Sequence, residues 1–155
     1  MAWHEWLRWA HILGACVLIG TGAGIAFFML MAHRTRDAAL IAHVAGTVVI
    51  ADLLFTATAV ILQPITGVLL AQAMGWPLAS RWILWSVGLY LFIGACWLPV
   101  VWIQLRLRDL ARAAAGTGAP LPARYHQLYR WWFALGWPAF AAIAVIVALM
   151  IVRPV

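Results

Sequence analysis

Four stretches of this chain are almost free of Asp, Glu, Lys and Arg, and each is long enough to cross a lipid bilayer. Trp9 to Ala32, Trp82 to Leu105 and Trp131 to Val152 carry none of these residues, and Ala38 to Ser80 carries only Asp52. A membrane-spanning helix needs about 20 apolar residues at a rise of about 1.5 Å each. In hydrocarbon every backbone amide must be bonded within its own segment, and the runs lack the alternating polarity of barrel strands, so each is read as a helix. Hydrophobic residues make up 67% of the 155 residues and charged ones 9%. A soluble domain carries about 25% charged residues, so lipid must be the solvent. The first run is too long for the apolar core of a cleaved signal peptide, and no small-x-small site precedes Arg34. It is expected to remain as the first helix.

The fold expected is all-α: an integral membrane four-helix bundle forming one transmembrane domain over residues 1–155. Its helices should span approximately 5–32, 39–73, 80–112 and 122–152. The links are His33 to Asp37, Gly75-Trp76-Pro77, and Gly116 to Pro122. Links this short make neighbours antiparallel and give an up-down-up-down course. Arg34, Arg36, Arg106, Arg108, Arg112, Arg124 and Arg130 cluster about the first and third links, against Arg8, Arg81 and Arg153 on the other side. The excess places those two links in the cytoplasm and both termini in the periplasm. Trp3, Trp6, Trp9, Trp76 and Trp82 suit the outer aromatic belt.

The net charge is +6, and all ten basic residues are Arg. They sit mostly at helix ends rather than in a stripe with interleaved aromatics, so the bilayer and its headgroups are the expected partner, not nucleic acid. Arg and Ala without Lys reflect genome base composition and point to a bacterial inner membrane. Cys16 and Cys96 differ in depth by roughly 10 Å at helical rise, too far for a disulfide, and both are read as small core residues. From Gln104 to Arg112 the third helix continues past the membrane as a polar, Arg-rich end that sets topology. Asp109 is available there for ion pairing at helical spacing.

His11 lies near the outer end of the first helix, seven residues after His4 on the same face. Imidazole is the common axial donor to haem iron, which makes His11 the first ligand candidate for haem b. Any second axial ligand near that face would be Met74 or Met150. His43 and His126 open the second and fourth helices from the same side, so their depths match and they form a second candidate pair for haem iron. His33 is read as a solvated loop residue. Gly14 and Gly22 could let a flat macrocycle approach the first helix. Gly20 and Gly24, a small-xxx-small pair, suit close helix packing.

Asp52 is the sharpest anomaly, because an ionised carboxylate at mid-membrane costs about 2.5–3.5 kcal/mol even on the mildest scale. Thr56, Gln63 and Thr66 follow on much the same helix face. This stripe must point into the bundle, as a proton relay, a contact to a cofactor edge, or a packing lock with Arg130 as partner. Pro64 frees the carbonyl of Val60, four residues back, and should kink the second helix; Pro99 does the same in the third. No GxSxG, phosphate-binding glycine loop, HExxH or CxxC occurs.

Trp6-Leu7-Arg8-Trp9-Ala10-His11-Ile12-Leu13-Gly14 resembles the first-helix pattern of the HemJ-type protoporphyrinogen oxidases and the copper-resistance D-type membrane proteins. The whole chain resembles more closely a predicted integral membrane family of unknown function. That likeness is carried by His43 to Gly67, Cys96 to Trp102, Arg106 to Asp109, Pro120 to Tyr125, and Phe133 to Pro138. The wider resemblance implies His11 as a porphyrin-iron ligand.

The leading expectation is a haem b protein serving electron transfer or porphyrin and quinol redox chemistry, a possible membrane oxidoreductase. It would be a homo-oligomer with a quinone or redox protein as partner. The alternative is a non-enzymatic assembly subunit or small transporter with a polar path around Asp52. Copper or other metal-ion handling ranks third, since five Met and two Cys make a thin set of soft ligands.

Overall fold

The computed structural model describes residues 2–154. Four helices long and apolar enough to span a membrane account for nearly all of them: α1 (Trp3–Thr35), α2 (Ala38–Ala73), α3 (Arg81–Thr117) and α4 (Ala123–Val152). No strand occurs among the described residues. Each helix packs on its sequence neighbour, and α1 against α2 is the most extensive of these faces. The up-down-up-down course follows from the short connections.

Local chemistry explains the boundaries. Glu5 reaches back to accept the backbone N–H of Ala2 at 2.8 Å, occupying a donor left open at the helix start. The first link is tighter than the sequence suggests. α1 runs on to Thr35, and Arg36 closes it in the left-handed conformation with φ 58°. Asp37 then caps α2 by accepting from Ala39 N at 2.8 Å and Leu40 N at 3.2 Å, as an N-cap aspartate does. α3 also outruns expectation, reaching Thr117 before Gly118 ends it at φ 68°. Its terminal turns are polar, but the helix ladder satisfies them as well in water as in lipid.

α2 is not a uniform helix. Asp52–Thr56 form one π turn, in which the Ala57 N–H bonds the Asp52 carbonyl. Such turns occur mainly as isolated bulges, often at functional sites. The turn lies near the middle of α2 and buries both Asp52 and Thr56.

The hydrophobic core sits at one end. Ile25, Met29 and Ala32 of α1, Ile41 to Val48 of α2, Ile103 to Ala111 of α3, and Tyr125 to Trp132 of α4 form one cluster. This is the end that carries the α1–α2 and α3–α4 links and most of the arginines. Toward the other end burial thins to isolated positions such as Leu7, Leu70, Ser86 and Ala142, and the α1–α2 and α3–α4 pairs draw apart.

Several expectations are corrected. Cys16 is exposed on α1, and only Cys96 is buried; in lipid an exposed apolar thiol carries no burial penalty. Gly20, Gly22 and Gly24 have no neighbour within 4 Å of where a Cβ would stand, so the small-xxx-small pair packs no helix of this chain. Asp109 pairs with adjacent Arg108 at 2.9 Å, not with a residue one turn away.

Candidate functional site

Asp52 is 4% exposed, and two other helices supply its partners. Trp97 of α3 donates its indole Nε1–H to Asp52 Oδ1 at 3.3 Å. Gln104, two turns further along α3 and 3% exposed, faces the other oxygen. With its amide nitrogen turned toward α2 it donates to Asp52 Oδ2 at 3.3 Å, and its oxygen accepts from Trp132 Nε1 of α4 at 3.3 Å. One carboxyl group thus ties α2, α3 and α4 through neutral N–H donors. Arg130, the cation the sequence offers as a partner, lies exposed on α4. The π turn is what aims Asp52 inward at this depth.

The polar groups continue both ways. Toward the arginine-rich end, Trp132 stacks near Tyr129 (ring centroids 5.8 Å apart), and Tyr129 lies flat on His33 at 3.7 Å and 6°. His33 Nδ1 meets the Tyr125 hydroxyl at 3.4 Å. His33 is therefore no solvated loop residue. It belongs to the last turn of α1, half-buried, and its ring joins α1 to α4. The ring that His126 meets is that of His33, 5.8 Å away. His43 instead lines a surface hollow beside Arg112.

Toward the opposite end, Gln63 and Thr66 lie on the face of α2 that meets α1. Gln63 packs its amide over Gly14, 3.3 Å from where a Cβ would stand. His11 Nδ1 lies 2.9 Å from Thr66 Oγ1. The Thr66 hydroxyl donates its own proton to the carbonyls of Leu62 and Gln63 at 2.9 and 3.2 Å, so it accepts from His11. With the Thr66 proton on the Leu62 carbonyl, the arrangement suits the Nδ1–H tautomer of His11, which leaves Nε2 as the lone-pair nitrogen. Gly67 makes room for the ring: a Cβ there would stand 3.1 Å from His11 Cε1. The glycines that matter for α1–α2 packing are thus Gly14 and Gly67.

Pro64 has a partner that sequence alone does not reveal. It leaves the Val60 carbonyl without its helical donor, and the Tyr90 hydroxyl of α3 donates to that oxygen. Three side-chain atoms along the same internal face are buried without a hydrogen-bond partner: Tyr129 Oη, Thr56 Oγ1 and Gln63 Oε1. Buried polar atoms of this kind are where ordered water commonly docks. Set in order, the line reads His33, Tyr125, Tyr129, Trp132, Gln104, Asp52, Thr56, Gln63, Thr66 and His11. Its members are distributed from one end of the bundle to the other half of the membrane, with no hydrogen bond between Asp52, Thr56 and Gln63.

The other expected ligands are dispersed. Met74 Sδ accepts from Arg8 Nη2 at 3.6 Å, and Met150 lies near the far end of α4. Gly22 faces open space, whereas Gly14 is covered by Gln63. Among the described residues no three His, Cys, Asp or Glu side chains converge as a metal-binding group.

A family model described as "Predicted integral membrane protein (DUF2269)" matches residues 5–154. No curated protein and no solved structure matches the chain.

Proposed function

The chain belongs to the DUF2269 family of predicted integral membrane proteins, and on that premise we propose that it is a proton-handling membrane component, a small transporter or transporter subunit centred on Asp52. The observation that carries this reading is a buried carboxyl group at mid-membrane held by Trp97 and Gln104, with no ion-pair partner among the described residues. An intramembrane acid without a counter-ion is a protonatable site by default. Its neutral donors stabilise the carboxylate, and the unpartnered Thr56 hydroxyl, one turn away, is an available acceptor for its protonated form. Thr56, Gln63 and Thr66 lead outward, while Gln104 and the Tyr129–His33 stack lead to the arginine-rich end. That end faces the cytoplasm of a bacterial inner membrane under the positive-inside rule.

The test is proton flux into vesicles loaded with a pH-sensitive dye, driven by a potassium diffusion potential. Wild-type protein should dissipate the imposed gradient, and Asp52→Asn, which keeps the shape and the Trp97 bond, should lose most of that flux. Equal flux from both proteins, or none above empty vesicles, sinks the reading.

A second reading, binding of b-type haem, is favoured by the His11 geometry. An imidazole anchored through Nδ1 with a free Nε2 is how proteins orient an axial ligand. His11 would hold the iron. The haem would supply one-electron chemistry toward a quinone or a redox protein. Spectra of detergent-purified protein, oxidised and then dithionite-reduced, decide it. A Soret band lost in His11→Ala supports haem, and a featureless spectrum after haem supplementation removes it.

A further inference from the structure

A second polar feature lies away from this line, at the surface between α2 and α3. Ala42, His43, Gly46, Thr47 and Ile50 of α2 and Arg112 of α3 line an open hollow of about 420 Å³. Gly46 shapes it. Arg112 Nη2 lies 3.3 Å from where a Cβ on Gly46 would stand, so the missing side chain is what lets the guanidinium rest on α2. The ion pair among the described residues joins Arg108 to Asp109, leaving Arg112 with no carboxylate partner. The Thr47 hydroxyl is already engaged with the His43 carbonyl at 3.2 Å, so the free donors of the hollow are Arg112 and the His43 ring.

We infer that this hollow binds the headgroup and the upper acyl chain of one anionic phospholipid. A guanidinium matches phosphate geometry through paired N–H donors. The hollow also changes character with depth. Arg112 and His43 stand at its polar end, and two turns deeper Ile50 is 60% exposed, an apolar wall for an acyl chain. A soluble phosphate would use only the first part, whereas a lipid uses both. The surrounding end of the bundle adds Arg34, Arg36, Arg106, Arg108, Arg124 and Arg130, with Asp37 and Asp109 as its acids. Basic pockets between membrane helices at headgroup level take anionic lipids in this way.

The neighbouring hollow, lined by Trp102, Arg106, Asp109, Leu110, Arg124 and Leu128, supplies the control, because its arginines share it with a carboxylate. Native mass spectrometry of the detergent-purified protein, titrated with phosphatidylglycerol or phosphatidylcholine, reads the occupancy directly. Wild-type protein should retain one phosphatidylglycerol in preference to phosphatidylcholine. Arg112→Gln should lower that occupancy about fivefold, the effect of one interfacial basic residue, and Arg106→Gln should leave it unchanged. Gly46→Leu fills the hollow without removing a charge and should lower occupancy as well, which keeps the test open if Arg112→Gln does not fold. Equal losses from Arg112→Gln and Arg106→Gln, equal retention of the two lipids, or displacement of phosphatidylglycerol by inorganic phosphate would each overturn the assignment.

Discussion

At the scale of single residues, the α1–α2 interface depends on two absent side chains. A Cβ at position 67 would meet the His11 ring at 3.1 Å, and that ring is fixed by its bond to Thr66. Gly67→Val should therefore destabilise the protein by roughly 1–3 kcal/mol, the range for overpacking a close contact. Gly20→Val, on a face with no neighbour, should leave the unfolding midpoint in detergent unchanged. Equal shifts from both would mean that the His11–Gly67 contact does not hold the helices. Asp52 was legible from sequence because a lone acid in an apolar run must turn away from lipid, whether it locks packing or carries chemistry. Its partners were not. Trp97 looks like any membrane tryptophan, and Gln104 sits where apolar helix passes into arginine-rich end, so it reads as the start of a solvated segment. The usable signal was that Gln104 is itself a polar residue with no charged neighbour for a turn toward the membrane. His33 was misplaced for a related reason: beside Arg34 it looks like loop, and only the tight Arg36–Asp37 turn keeps it in α1.

Among the elements, α2 contains two departures from regular helix, and each has a cause. The Pro64 break was readable, including the carbonyl it frees, because proline removes a known donor. The repair by Tyr90 was not, since it comes from α3. Tyr90→Phe should cost about 1 kcal/mol, typical of an interhelical hydrogen bond in a membrane protein. Pro64→Ala restores an N–H for Val60 and should make the Tyr90→Phe cost largely vanish, a non-additivity that a double-mutant cycle measures. Additive effects would show that the Val60 carbonyl is not the coupling point. The π turn at Asp52–Thr56 left no trace in the sequence, because no residue type demands it. It follows from aiming a carboxyl group at α3 and α4, which is a tertiary requirement.

On the scale of the whole molecule, the four spans and their antiparallel order were fully legible, since bilayer thickness and backbone satisfaction leave few choices. The arginine count then gives the orientation we propose for the bundle. Cysteines placed at Ala2 and at Ala119, in a background with Cys16 and Cys96 replaced by Ala, should label oppositely in intact bacterial cells. An impermeant maleimide should reach position 2 and not position 119, and the reverse pattern would invert the assignment. What composition could not show is that packing is uneven along the membrane normal. The core of Met29, Ile41, Leu107 and Tyr125 occupies the arginine-rich end, while the helix pairs at the other end are joined by the α2–α3 link, the Tyr90–Val60 bond and Arg153 of α4 lying 4.1 Å over the Trp76 ring. Mechanically the molecule is a clothes peg with its jaws tied: its spring lies at one leaflet, and at the other a short link and a few side chains hold the jaws. Amide deuterium uptake should therefore climb along α4 from Tyr129 toward Ile151, and a flat uptake profile would mean that the jaws are clamped.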